Sequence, residues 1–425
     1  MMVSPPGKNA ATTRHSILPL SVSKGRSTTE SPKQLSMAMH NNSAFVERKK
    51  NRGTLGKLRI QLLQPMGRLI ILVFPLLVFL VLQSCRHYLS TVLESSPALQ
   101  QLPSALLPMD ALRLAMKVNG ISKLEHRPPE VRASDDKKKP ILITFANYKG
   151  FSFFAHFCET ISLALRVGWE VHVLGWGEFH LFSSRAKFSK IPALLTFLKT
   201  LPPDQTFLFM DAYDVLVMGG PDEAYEKFAE ASTTQQADII IGAEKVCYPF
   251  DKHEQYAKHL CHDEYPLILP LSNVDVDNPY RYLNAGVWMG YADTAIQFLE
   301  GMIMIDEMRP RLPMTEGDDQ AHFHYAFMSH MYSTSLDYHN ALFGAMGSVK
   351  EEITFDGDQK RWKHQSYDTY PLTLHFNGNK EGYFDYGNSL VDGEISDYSS
   401  ITEDVLKQSL HGVDFNRVCK QGWLL

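Results

Sequence analysis

Cysteine is scarce in this chain. There are five in 425 residues, at positions 85, 158, 247, 261 and 419. Their spacing matches no zinc motif, which excludes a cysteine-built metal module. Cys247 and Cys261 are near enough in sequence for one disulfide, with buried free thiols as the equal alternative. Acidic residues are almost missing from the start: residues 1–68 hold 12 of the 42 Lys and Arg against only Glu30 and Glu47. The remainder carries 30 basic and 45 acidic residues, a net of −15. It lacks the basic face that nucleic-acid binding requires, so no nucleic-acid partner is expected. No Asn-x-Ser/Thr sequon follows residue 85, and there are no internal repeats.

One long apolar run is present. Leu69 to Leu82, extending to Cys85, has no charge and approaches the ~17-residue lower limit for a spanning helix. Seven Lys and Arg between residues 48 and 68 precede it, and only Arg86 and His87 follow closely. The positive-inside rule then places the N-terminus in the cytosol. Residues 1–67 read as a disordered basic tail, 68–86 as a transmembrane signal anchor, and 87–139 as a stem with a short helix near 108–118. A cleaved signal peptide or an organelle transit segment is the alternative. The anchor reading makes the chain a single-pass type II membrane protein of the endoplasmic reticulum or Golgi, with its folded part luminal.

From Pro140 the pattern alternates. Pro140–Ala146, Trp169–Gly175, Thr206–Met210 and Asp238–Gly242 are short apolar strands. His156–Val167 and Ile191–Leu201 between them have helical spacing. This predicts an α/β fold with a doubly wound, mainly parallel sheet. Tyr282–Gly290, helices over Ala292–Met308 and Asp318–Met331, and shorter strands near 333–336, 353–355 and 372–376 follow. Residues 140–390 form the expected domain and 391–425 a C-terminal extension too weakly patterned to place.

The stretch Phe207-Leu208-Phe209-Met210-Asp211-Ala212-Tyr213-Asp214 ends a buried strand on two carboxylates. Strand ends at a sheet edge are where ligands bind. Oxygen ligands suit a hard dication, Mn²⁺ or Mg²⁺, able to neutralise a nucleotide-sugar pyrophosphate. Taken alone, the two acids serve equally well as caps of the next turn. Ala243-Glu244-Lys245-Val246-Cys247-Tyr248-Pro249, Tyr282-Leu283-Asn284-Ala285-Gly286-Val287-Trp288, Asp318-Asp319-Gln320 and Leu374-His375-Phe376-Asn377-Gly378 follow in order. Small residues in the second mark a close backbone approach. The acids of the third suit a helix N-terminus.

In that order these segments resemble the glycosyltransferase domain of the multifunctional procollagen-lysine hydroxylases, over about Pro140 to Gly387. The resemblance implies a GT-A-like fold, a Mn²⁺ ion and a UDP-sugar donor. Asp211, Asp214 and His375 become the implied metal ligands. Lys187, Tyr213, Glu244, Asn284 and Asn377 become donor-binding residues, and Asp318 and Asp319 the catalytic carboxylates. Tyr248 stands where the family has Trp, and Lys190 occupies another aromatic position; both are expected to alter sugar contacts. About 40 residues follow the resemblance, too few for the family's iron-dependent hydroxylase domain, so no lysine hydroxylation is expected. The implied activity is transfer of galactose or glucose from a UDP-sugar to a protein, hydroxylysine in a collagen-like sequence, or to a glycan. A metal-dependent nucleotide-sugar or phosphodiester hydrolase and a non-catalytic sugar-binding module are the alternatives. His322, His324 and His330 lack the spacing of a helical zinc site and read as structural or solvated.

Overall fold

The structure, a computed structural model, describes residues 109, 112, 113, 116 and 117 and most of 139–420. Within that span 148–153, 177–186, 255–256, 270–276, 309–311, 313–317, 379 and 392–394 are not described. The expected tail, membrane segment and most of the stem lie outside the described residues. Among the described residues no helix is long and apolar enough to cross a membrane.

The chain opens with β1 (Ile141–Phe145), helix α1 (Phe154–Arg166), β2 (Val171–Leu174) and α2 (Lys190–Leu198). β3 (Thr206–Asp211), β4 (Val215–Val217), α3 (Pro221–Gln235) and β5 (Ile239–Glu244) follow. Next come β6 (Tyr282–Tyr291), α4 (Ala292–Glu307), α5 (Asp319–Met328), β7 (Thr334–Leu336) and β8 (Phe343–Ala345). Then come β9 (Ile353–Asp356), β10 (Arg361–His364), β11 (Thr373–His375), α6 (Glu403–Ser409) and β12 (Leu410–His411), and a helical segment over Asn416–Lys420 closes the described chain.

Seven strands form the main sheet in the order β12-β2-β1-β3-β6-β5-β7. All run in one direction except β6, which is antiparallel to both neighbours. The expected mainly parallel α/β architecture is therefore present. Its central strands are continuous apolar runs because helices cover both faces of such a sheet. β1 and the first five residues of β3 are wholly buried. Trp288 of β6 ties sheet to helices, with Phe207 and Phe209 on one side and Phe298 of α4 and Phe323 of α5 on the other. Each such aromatic contact adds about 0.5–1.5 kcal/mol beyond the area it buries.

A second sheet, β4-β11-β8, sits beside the first. Two disulfides form: Cys247–Cys261 and Cys158–Cys419. The second ties α1 to the C-terminal segment, whose β12 pairs with β2 as the sheet's edge. The tail that sequence patterning could not place is thus part of the sheet.

Candidate active site

β3 stays apolar through Met210 and then presents Asp211 at the C-terminal edge of the sheet. Three residues later Asp214 immediately precedes β4. β11 runs antiparallel to β4 with His375 opposite Val215, so its imidazole arrives beside the acids. His375 Nε2 lies 3.9 Å from an Asp211 oxygen and 3.6 Å from an Asp214 oxygen. One ligand atom from each of Asp211, Asp214 and His375 falls within 4.8 Å of the others.

The other ring nitrogen sets the tautomer. His375 Nδ1 is 2.8 Å from Asn284 Oδ1. The Gly286 amide donates to that same oxygen at 3.2 Å. The oxygen is an acceptor, so Nδ1 carries a proton, and Nε2, the nitrogen facing the carboxylates, is the one left to ligate an ion. Two carboxylates and one such imidazole fit Mn²⁺ or Mg²⁺ and leave coordination positions open. At Gly286 the backbone comes close to the ring: a Cβ there would meet His375 Cε1 at 2.0 Å. The pairing between β5 and β6 slips between Ile241 and Gly242, leaving Ala285–Val287 as extra residues on β6. That bulge turns Asn284 and Gly286 toward the histidine.

Lys190, at the start of α2, stood out in the sequence only as a lysine at an aromatic position; its place between two carboxylates was not foreseen. Its ammonium lies 2.8 Å from Asp211 and 2.7 Å from Asp319. Burial opposes its charge, but the two carboxylates outweigh that and hold it protonated. In Asp211, burial alone would raise the pKa; Lys190 and His375 overcome it and hold the group below its usual range. Burial keeps Asp214 above that range, with Asp211 adding to the effect. Asp319 is raised for the same first reason despite Lys190.

These groups line a cavity of about 720 Å³. Glu244, at the end of β5, accepts from the Gln320 and Asn377 side-chain amides, each at 2.8 Å. Burial lifts its carboxyl to about 7 while the amides, Asn284 among them, pull it down. Asn284 therefore links Glu244 to His375. Asn377 also accepts from the Gly347 amide at 2.8 Å. Tyr213 lines the cavity with its ring; its hydroxyl donates to the Asn147 carbonyl at 2.6 Å. Asp318 caps α5, accepting from the Gln320 amide at 2.9 Å, and lies 3.5 Å from the exposed Lys187 ammonium.

Every site residue expected from the sequence thus reaches one cavity. The roles divide more finely than expected. Asp319 is committed to Lys190, and Asn284 and Glu244 hold other side chains in place. Gln320, whose Nε2 also reaches the Tyr248 and Leu283 carbonyls, was visible only as part of a motif. His322 and His324 are structural, as expected. His324 Nε2 bonds the Tyr248 carbonyl at 2.7 Å, and His322 Nδ1 the Asp318 carbonyl at 3.0 Å.

The family model described as "PLOD GT domain" matches residues 137–397, which contain the whole cavity. The chain belongs to this family. It is 25% identical over 198 residues to the human "Multifunctional procollagen lysine hydroxylase and glycosyltransferase LH3", covering 45% of this chain and 23% of that protein. It is 29% identical over 198 residues to the Drosophila melanogaster "Procollagen-lysine,2-oxoglutarate 5-dioxygenase", covering 44% of this chain and 23% of that protein. The chain therefore spans about a quarter of the length of these curated relatives. Among solved structures, a glycosyltransferase involved in glycosylation of the major capsid of PBCV-1 aligns at 12% identity. The TM-score is 0.35, covering 56% of this chain and 94% of that one.

Proposed function

We propose that this PLOD-type domain is a Mn²⁺-dependent hexosyltransferase with a GT-A-like fold. It transfers galactose or glucose from a UDP-sugar to hydroxylysine in a collagen-like protein, or to a glycan. The observation that carries the reading is the convergence of Asp211, Asp214 and His375 in the lining of the cavity. A bound dication would supply Lewis-acid neutralisation of the departing diphosphate. Asp211, Asp214 and His375 Nε2 would hold it, and Asn284 keeps that imidazole aimed. The Tyr213 ring offers a flat apolar surface to a nucleobase. Lys187 offers an exposed positive charge to a phosphate. Asp318 offers a fixed carboxylate for a sugar or acceptor hydroxyl. Two disulfides suit an oxidising lumen, which supports placing the domain in the endoplasmic reticulum or Golgi behind a type II anchor.

The test is UDP release by the full-length chain from a panel of UDP-sugars, with and without Mn²⁺, with Asp211→Asn/Asp214→Asn as control. The expected result is Mn²⁺-dependent release from UDP-galactose or UDP-glucose, raised by a hydroxylysine peptide and lost in the control. Release indifferent to every acceptor would favour the hydrolase. No release and no UDP binding would leave a sugar-binding module.

A further inference from the structure

On the far edge of the main sheet, β12 lies parallel to β2 with His411 opposite His172 and Leu410 opposite Val171. Side chains alternate along a strand, so Glu170, two residues before His172, shares its face. The pairing therefore stacks the two imidazoles, centroids 4.5 Å apart and 23° from coplanar. Both turn Nε2 to one oxygen of Glu170, at 2.9 Å from His172 and 3.3 Å from His411. One ligand atom from each residue lies within 4.8 Å of the others. No other group of three His, Cys, Asp or Glu outside the catalytic cavity converges in this way among the described residues.

We propose that Glu170, His172 and His411 form a second metal site, selective for Zn²⁺, that fastens the C-terminal strand to the sheet. Two imidazoles and one carboxylate are the ligand set of many zinc sites, with water completing the tetrahedron. Glu170 and His411 are about half exposed, with side-chain exposures of 48% and 44%, so water and metal can enter. Phe197 also packs against the His172 ring, centroids 4.9 Å apart. This donor set is richer in nitrogen than Asp211, Asp214 and His375. The two sites should therefore sort metals: zinc at the edge, manganese or magnesium in the cavity. A clip at β12 would act beside Cys158–Cys419 on the same C-terminal segment.

The test is zinc binding by equilibrium dialysis and metal analysis on the full-length chain carrying Asp211→Asn/Asp214→Asn, which silences the cavity. One equivalent of Zn²⁺ is expected, not displaced by excess Mn²⁺. Affinity should fall by about tenfold or more in His411→Gln and in Glu170→Gln. The second variant leaves both strands' residues intact, and metal-free thermal unfolding of each variant shows whether it has folded. Zinc should also raise the unfolding temperature of the Asp211→Asn/Asp214→Asn chain and not of either further variant. Absence of a bound equivalent, or an unchanged affinity in variants that fold, would overturn the site.

Discussion

An imidazole can offer either nitrogen to an ion, and the partner of the other nitrogen decides which. At His375 that partner is the Asn284 side-chain oxygen at 2.8 Å. Asn284 is itself held by the Gly286 amide and by its bond to Glu244. Asn284→Ala should therefore weaken Mn²⁺ binding by about 10–100-fold, the usual cost of losing such an orienting partner. Calorimetric titration of Mn²⁺ would measure it, beside thermal unfolding to confirm the fold. Wild-type affinity in the variant would mean that Asn284 does not set the tautomer. Lys190 works in the opposite sense. Its charge sits 2.8 Å from Asp211, offsets that acid before any ion arrives, and anchors Asp319 at 2.7 Å. A lysine at the start of an amphipathic helix ordinarily points to solvent. Nothing in its immediate sequence announces that this one is buried between two carboxylates.

Elements whose physics is local were readable, and those set by distant partners were not. β1, β3 and β5 are uninterrupted apolar runs, as strands buried on both faces must be. Asp211 and Asp214 were legible because they end such a run abruptly. α3 left little trace: its buried stripe is Pro221, Ala224, Phe228 and Ser232, with one large apolar side chain among them. β12 is two residues long and exists only through its pairing with β2. His375 could be named from its motif, but its place beside Asp214 follows from the β4–β11 register. The β6 bulge is the element on which the site depends most directly. Gly286→Ala would put a methyl 2.0 Å from His375 Cε1, and that ring is held by β11 and by Asn284. Overpacking of this kind costs roughly 1–3 kcal/mol. Urea unfolding should show that loss, and Mn²⁺ affinity should fall with it. A variant with native stability and native metal binding would show that the ring has room to move.

Across the whole molecule, two buried titratable groups pull stability in opposite directions as pH changes. Burial pushes His324 down to about 4, so it stays neutral in the fold while an unfolded chain, near 6.5, takes up a proton. Stability from this residue falls as pH drops from about 6.5 toward 4. Glu159 on α1 adjoins the Cys158–Cys419 tie; it is 2% exposed, and its Oε2 has no hydrogen-bond partner. Burial pushes its carboxyl up to about 8. The folded chain therefore keeps a proton that the unfolded chain releases near 4.5, and stability falls as pH rises from about 4.5 to 8. Between about 4.5 and 6.5 the His324 slope offsets that of Glu159, while Glu244, lifted to about 7, adds a second slope of the same sign as Glu159. Glu159→Gln keeps the shape of the side chain and removes the titration. Relative to wild type its stability should shift in its favour by roughly 3 kcal/mol between pH 5 and pH 8. Denaturant unfolding of both proteins at several pH values measures that difference, whatever constant offset the amide introduces. A difference that stays flat across the range would mean that Glu159 titrates in the fold as it does in the unfolded chain.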